Sequence, residues 1–263
     1  MLPVVVAAVG SWKHAVVFVV ATAAGFVNAI AGGGSLLTFP TLVWVGVAPV
    51  AASATNTVGL WAGNLGGVIG FRRHLPKRSL IILFGLPSLA GGIVGAVLLL
   101  RTPQHLFEGL APVLVFLATV LLAVQEPLSR RISRGGVAGH RRPGYAAAAV
   151  VFQFFVGVYG GFFGAGIGIM MLAALAILGL TDIHQMNGLK NVLTTAINGV
   201  AAVYFALRGA VLWTDAGLMA VGSVAGGFAA AVLAQRLGRR LVRQAVIAIG
   251  IAASISLLLK FLG

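Results

Sequence analysis

One unusual segment occurs twice in this chain. Gly25 opens GFVNAIAGGGSLLTFPTLVWVG, and 132 residues later Gly157 opens GVYGGFFGAGIGIMMLAALAILG. In each copy a long apolar run meets a glycine cluster, Gly32, Gly33 and Gly34 in the first and Gly164, Gly166 and Gly168 in the second. A short apolar stretch ending in glycine then follows. The likeness continues into the next segment, where Asn56 and Asn64 stand eight residues apart, as do Lys190 and Asn198. A duplicated apolar unit broken by glycine at the same place is the sequence sign of a membrane transporter whose site lies where the repeats meet.

With 60% hydrophobic and 8% charged residues the chain lacks the charge a water-facing surface needs. Ten apolar segments can be marked: 15–31, 36–47, 50–71, 79–100, 105–124, 144–163, 167–180, 184–207, 216–234 and 241–262. Most reach the ~20 residues that cross a hydrocarbon core of ~30 Å. Segments 36–47 and 167–180 have only 12 and 14 residues. Both follow directly on the glycines, which predicts half-helices or re-entrant segments. The fold class expected is therefore an all-α polytopic membrane protein, built from two repeats of five hydrophobic segments with glycine-broken short helices.

Thirteen of the 18 lysines and arginines fall in three clusters between apolar segments. These are Arg72, Arg73, Lys77 and Arg78; Arg130, Arg131, Arg134, Arg141 and Arg142; and Arg236, Arg239, Arg240 and Arg243. That distribution follows the positive-inside rule and argues against a nucleic-acid partner. With the clusters on the cytoplasmic side, 50–71 runs inward and its counterpart 184–207 runs outward. An odd number of segments per half thus inverts the second copy and places both termini outside. The organisation expected is a first membrane repeat at 1–124, a basic cytoplasmic linker at 125–143 and a second membrane repeat at 144–263. The start of the chain resembles a cleavable leader. Because the same run and break recur at 144–166, residues 1–31 are read as part of the mature protein.

Candidate site residues follow from the cost of polar groups and irregular backbone inside a bilayer. Broken backbone at membrane depth persists only where it faces protein or a wet cavity. The short helix after each break offers free N–H groups and partial positive charge. Two such ends near the centre make an anion site from Gly32, Gly33, Gly34, Gly164 and Gly166, with Ser35 as a cap and Thr38 as a hydroxyl donor. The next segments carry polar stripes, Ser53, Asn56, Thr57 and Asn64 in one copy and Asn187, Lys190, Asn191, Thr194 and Asn198 in the other. Asn56, Thr57, Lys190, Asn191 and Thr194 are assigned to the site, Lys190 as the ionisable side chain deepest in a span. Asn64 and Asn198 suit interhelical hydrogen bonding equally well. Trp12 and Trp213 read as interface residues, and Trp44 and Trp61 as core packing.

Zero cysteines exclude disulfides, thiolate metal sites and thiol catalysis. The four acids, Glu108, Glu126, Asp182 and Asp215, lie at segment ends or in loops, and the histidines are peripheral. No catalytic motif, metal-ligand cluster or cofactor signature occurs, so no catalytic, metal or cofactor residue is assigned and the chain is not read as an enzyme.

The stretch AGGGSLLTFPTL at 31–42, ASATNT at 52–57, GGFFGAGIGIMM and MNGLKNVLTTAING resemble the TauE/SafE family of bacterial sulfite-exporter-like membrane proteins. The resemblance covers nearly the whole chain. Gly32–Gly34, Pro40, Leu42, Ala54, Thr55 and Asn56 match its pattern, while Ala165, Ile167 and Leu172 depart from it in the second half. It implies a transporter of sulfite, sulfonate or a similar small anion in the bacterial inner membrane. The partners expected are that anion and the lipid bilayer, and a homo-oligomer is compatible with the sequence. Lacking a buried acid, the chain suits export of the anion down an inside-negative potential. A passive anion channel and a non-transporting scaffold are the alternatives.

Overall fold

The computed structural model describes residues 11–30, 32–70, 75–133, 143–177, 180, 182–233 and 239–262. Among them the regular elements are ten α-helices: α1 Ser11–Ile30, α2 Ser35–Trp44, α3 Pro49–Gly70, α4 Arg78–Arg101, α5 Gln104–Ser133, α6 Pro143–Phe162, α7 Ile167–Ile177, α8 Ile183–Leu207, α9 Trp213–Leu233 and α10 Arg239–Leu262. Apolar runs in hydrocarbon must pair their backbone groups internally, and a helix does so within one segment. Each helix coincides with a predicted segment to within a few residues, except that α5 carries on to Ser133 through the start of the expected linker. Residues 134–142 of that linker lie outside the described residues. Among the described residues four helices are long and apolar enough to cross a membrane: Trp12–Ile30, Arg78–Arg101, Gln104–Pro127 and Arg240–Leu262. Their outer faces expose Leu86, Val113 and Leu259.

The two short helices double back on the helices before them. α2 has 10 residues, about 15 Å at ~1.5 Å per residue, half a hydrocarbon core. It begins where Gly34 sits against Ala24 and Asn28 and ends beside the start of α1, where Lys13 Nζ donates to the Val45 carbonyl at 2.7 Å. α7, with 11 residues, returns along α6 in the same way.

Helices of the two halves are interleaved. α1 packs along α9 and α4 along α6, so that the first helix of each half lies on the fourth of the other. Glycine permits the approach. A Cβ on Gly226 would stand 1.9 Å from the Thr22 carbonyl oxygen, and one on Gly161 would stand 2.1 Å from that of Gly92. Gly222 faces Phe18–Thr22 and Gly226 faces Thr22–Phe26, so α1 and α9 are parallel. Gly91 and Gly95 climb α6 in the same sense. α5 and α10 are antiparallel, joined by the Ser254 hydroxyl donating to the Pro112 carbonyl at 2.8 Å and by an Arg243–Glu126 ion pair. α3 and α8 meet between them, where Trp61 Nε1 donates to the Thr195 carbonyl at 3.0 Å. Trp44, expected in the core, is about half exposed near the end of α2.

The bundle has two unlike ends. At one, the starts of α1 and α9 meet through His14 Nδ1 and Asp215 Oδ1, 2.9 Å apart; Asp215 is buried, against the expectation of no buried acid, because the first turn of α9 packs it on α1. The last carbonyls of α2 lie there too, taken by Lys13 from α1 and by Lys260 from α10, whose Nζ donates to the Val43 carbonyl at 3.1 Å. At the other end α4 and α10 begin, with Lys77, Arg78, Arg240 and Arg243.

Candidate functional site

Both glycine breaks face one cavity of about 830 Å³. Its walls are the last turns of α1, the second half of α3, the first half of α8 and the inner stretches of α5 and α9. By the directions of those helices it lies toward the basic end. Away from that end it meets buried aromatic rings. Phe163 lines it and stacks edge-on with Phe39 at 5.1 Å, Phe39 contacts Phe107 at 6.3 Å, and Phe107 contacts Phe162 at 5.5 Å.

The breaks require glycine. Gly32 and Gly33 have φ of +79° and +91°, and Gly164 and Gly166 both have +81°, a region that L side chains enter only with strain. Turning there brings the N-termini of α2 and α7 to the same cavity. Among the described residues the N–H groups of Gly166, Ile167 and Gly168 have no partner, as expected for the unclosed first turn of a helix.

Ten of the twelve predicted residues line this space: Gly32, Gly33, Ser35, Asn56, Thr57, Gly164, Gly166, Lys190, Asn191 and Thr194. Gly34 and Thr38 stand behind the wall. The Thr38 hydroxyl donates to Asn56 Oδ1, and Thr38 is buried. Ser35 is the first helical residue and not the cap; that place falls to Gly34, which has no side chain to offer. Asn64, Asn187 and Asn198, seen in the sequence as stripe residues, also line the cavity. Asn28, Gln125 and Ser223 line it and were missed. Asn28 was legible as a lone amide in an apolar run. Gln125 was hidden because the apolar segment ends one residue before it.

Lys190 is the one ionisable side chain among the described lining residues. Its stem lies against the first turn of α7, where a Cβ on Gly168 would meet Lys190 Cδ at 3.1 Å. Asn28 Oδ1 accepts the Gly34 N–H at 2.8 Å, and the Thr38 hydroxyl stands between two acceptors, Asn56 Oδ1 and the Gly34 carbonyl, the latter at 3.3 Å. Asn198 Oδ1 is buried without a hydrogen-bond partner, 3.8 Å from where a Cβ on Gly164 would stand, and the Thr57 hydroxyl donates to the Ser53 carbonyl at 3.0 Å. No group of three or more His, Cys, Asp or Glu that could hold a metal occurs among the described residues.

The profile of the family described as "Sulfite exporter TauE/SafE" matches residues 17–257. The chain belongs to this family. It is 30% identical over 235 residues to a "Probable membrane transporter protein" of Haemophilus influenzae, covering 89% of each chain. It is 29% identical over 244 residues to the "Probable membrane transporter protein YfcA" of Escherichia coli K12, covering 92% of this chain and 88% of that one. A further relative, the "Probable membrane transporter protein ORF9" of a Sinorhizobium species, is 26% identical over 246 residues, 93% of this chain and 92% of its own. No solved structure matches the chain significantly.

Proposed function

We propose that this TauE/SafE protein is a multi-pass secondary transporter of a small sulfur-containing anion, not an enzyme. The observation that carries the reading is the polarity of the cavity. Asn28 and Asn56, whose oxygens meet the Gly34 N–H and the Thr38 hydroxyl, bring amide N–H donors next to two half-helix N-termini and Lys190. Each helix end is worth roughly half an elementary charge, so with the ammonium the cavity holds roughly two positive charges. The sulfur part of the reading rests on the family and on the word "sulfite" in its description.

With the basic end in the cytoplasm of a bacterial cell, both termini face outward and the present conformer opens inward. Residues 1–124 and 144–263 are then the inverted units of alternating access about a shared site. The inside-negative potential contributes ~2.3 kcal/mol per charge per 100 mV to an anion that leaves, which favours export. A channel is the second reading; the aromatic rings across the far side of the cavity speak against a continuous pore.

The test is thermal stabilisation of the detergent-purified protein by sulfite, sulfate, thiosulfate, sulfoacetate, taurine and chloride, since a ligand that prefers the folded state raises Tm. Selective stabilisation by a sulfur anion, weakened in Lys190→Met more than in Lys190→Arg, is the expected result. Equal shifts in wild type and Lys190→Met remove Lys190 from the site, and no shift with any anion removes the anion reading.

A further inference from the structure

Resting on that reading, we infer that the second glycine break also holds a monovalent alkali cation, bound beside the anion by the Gly160 carbonyl and the Asn198 amide oxygen. The negative end of α6 stops at this break. The Phe163 and Gly164 N–H groups both bond the Tyr159 carbonyl, at 2.9 and 3.2 Å. The Gly160 carbonyl thereby loses the N–H that a continuing helix would give it, and Gly160 is buried. From α8 comes Asn198, whose Oδ1 is buried without a hydrogen-bond partner. The two oxygens flank one point. A Cβ on Gly164 would stand 3.1 Å from the Gly160 oxygen and 3.8 Å from Asn198 Oδ1. Gly164 has no side chain to fill that point, and both it and Asn198 line the cavity. The Thr195 hydroxyl oxygen, one turn earlier on α8, is likewise buried and unpartnered. Buried acceptors that converge with no donor between them call for a cation.

The first break is built otherwise. The Gly32 N–H reaches back to the Val27 carbonyl in the same way, at 3.1 Å, but among the described residues no oxygen stands within 4 Å of a Cβ on Gly32. Asn28, which holds the place of Gly160 in that copy, has its Oδ1 taken by the Gly34 N–H. At the second break the ligands are neutral, and the described lining contains no carboxylate, which suits a singly charged ion over calcium or magnesium. Lys190 lies eight residues before Asn198, about 12 Å along the helix. An anion between the Lys190 ammonium and the cation meets positive charge on both sides. One break thus supplies a carbonyl end for the cation and an N–H end for the anion. Two such ligands raise each other's affinity by the same factor. A dianion beside one monovalent cation keeps one net negative charge, on which the inside-negative potential still acts outward.

The experiment follows Tm of the full chain in detergent as sodium chloride replaces N-methylglucamine chloride at constant ionic strength, with sulfite added as the matching salt. Sodium is expected to raise Tm saturably, and sulfite to half-saturate at a concentration about five-fold or more lower in sodium. Asn198→Ala should lose both effects, whereas Asn198→Asp should half-saturate at less sodium than wild type. No sodium effect in wild type, with the sulfite shift intact, overturns the inference and leaves the anion site in place. A sodium effect that survives in Asn198→Ala overturns the placement at this break. If that variant does not fold, an unchanged sodium half-saturation in Asn198→Asp overturns it instead. If no anion shifts Tm in either salt, the anion reading falls and the pairing with it.

Discussion

Asn28 does two jobs with one side chain, and they can be separated. Its oxygen closes the turn into α2 through the Gly34 N–H, and the residue lines the cavity. Asn28→Leu removes both, and losing the acceptor for a buried N–H costs ~1–3 kcal/mol. Asn28→Asp keeps the acceptor and puts a negative charge in the cavity. Near-wild-type Tm without ligand, together with loss of anion stabilisation, is therefore expected of Asn28→Asp. If that variant binds anions like wild type, Asn28 is a structural residue alone. Lys190 and Asn56 were legible from sequence because a charge or amide in an apolar helix is expensive enough to need a reason. The true place of Thr38 was not. It faces Asn56 across the turn from α2 to α3, where Gly46 has a φ of +99°, and hydrophobicity along the chain does not record which neighbour a hydroxyl meets.

Among the elements, α2 shows how a helix of 10 residues is held in place. Its C-terminal carbonyls carry partial negative charge, and the Val43 carbonyl already accepts the Gly46 N–H at 3.2 Å. Lys13 and Lys260 donate to two of them, one from each half of the chain. Cations at a helix C-terminus contribute ~0.3–1 kcal/mol each, and more where partly buried. The double variant Lys13→Met, Lys260→Met should let the site-forming end of α2 drift. A roughly ten-fold rise in the half-saturating anion concentration is expected, with recovery in the double arginine variant. An unchanged affinity in the methionine protein means that α2 is placed by packing of Leu36, Phe39 and Leu42. The shortness of α2 and α7 was readable from segment length, since 12 and 14 apolar residues do not span a bilayer. The reach of α5 was not. Apolarity stops at Val124, whereas the helix runs on through Gln125 and Glu126 and past Pro127 to Ser133, Pro127 removing one backbone hydrogen bond without ending it.

For the molecule as a whole, the duplication and the charge clusters lead to an expectation of two halves of opposite sense, but not of which helix of one lies on which of the other. Glycine serves both the breaks at Gly33 and Gly164 and the close contacts at Gly161 and Gly226, so composition alone does not tell the two uses apart. The absence of cysteine makes the proposed orientation easy to check with single thiols. Asn64→Cys, in the cavity, should react with an impermeant maleimide from the cytoplasmic side of oriented vesicles. Trp213→Cys, exposed at the other end, should react only from outside. The reverse pattern turns the molecule over, and labelling of Asn64→Cys from both sides favours a channel. The pairing of α1 with α9 also bears on how the chain is made. The glycine-lined groove between them does not exist until Trp213–Leu233 has left the ribosome. At ~5–20 residues per second, α1 waits on the order of ten seconds or more for it. A chain that stops after α8 therefore leaves α1 without the helix it packs along most closely, although every helix of its own half is already in place.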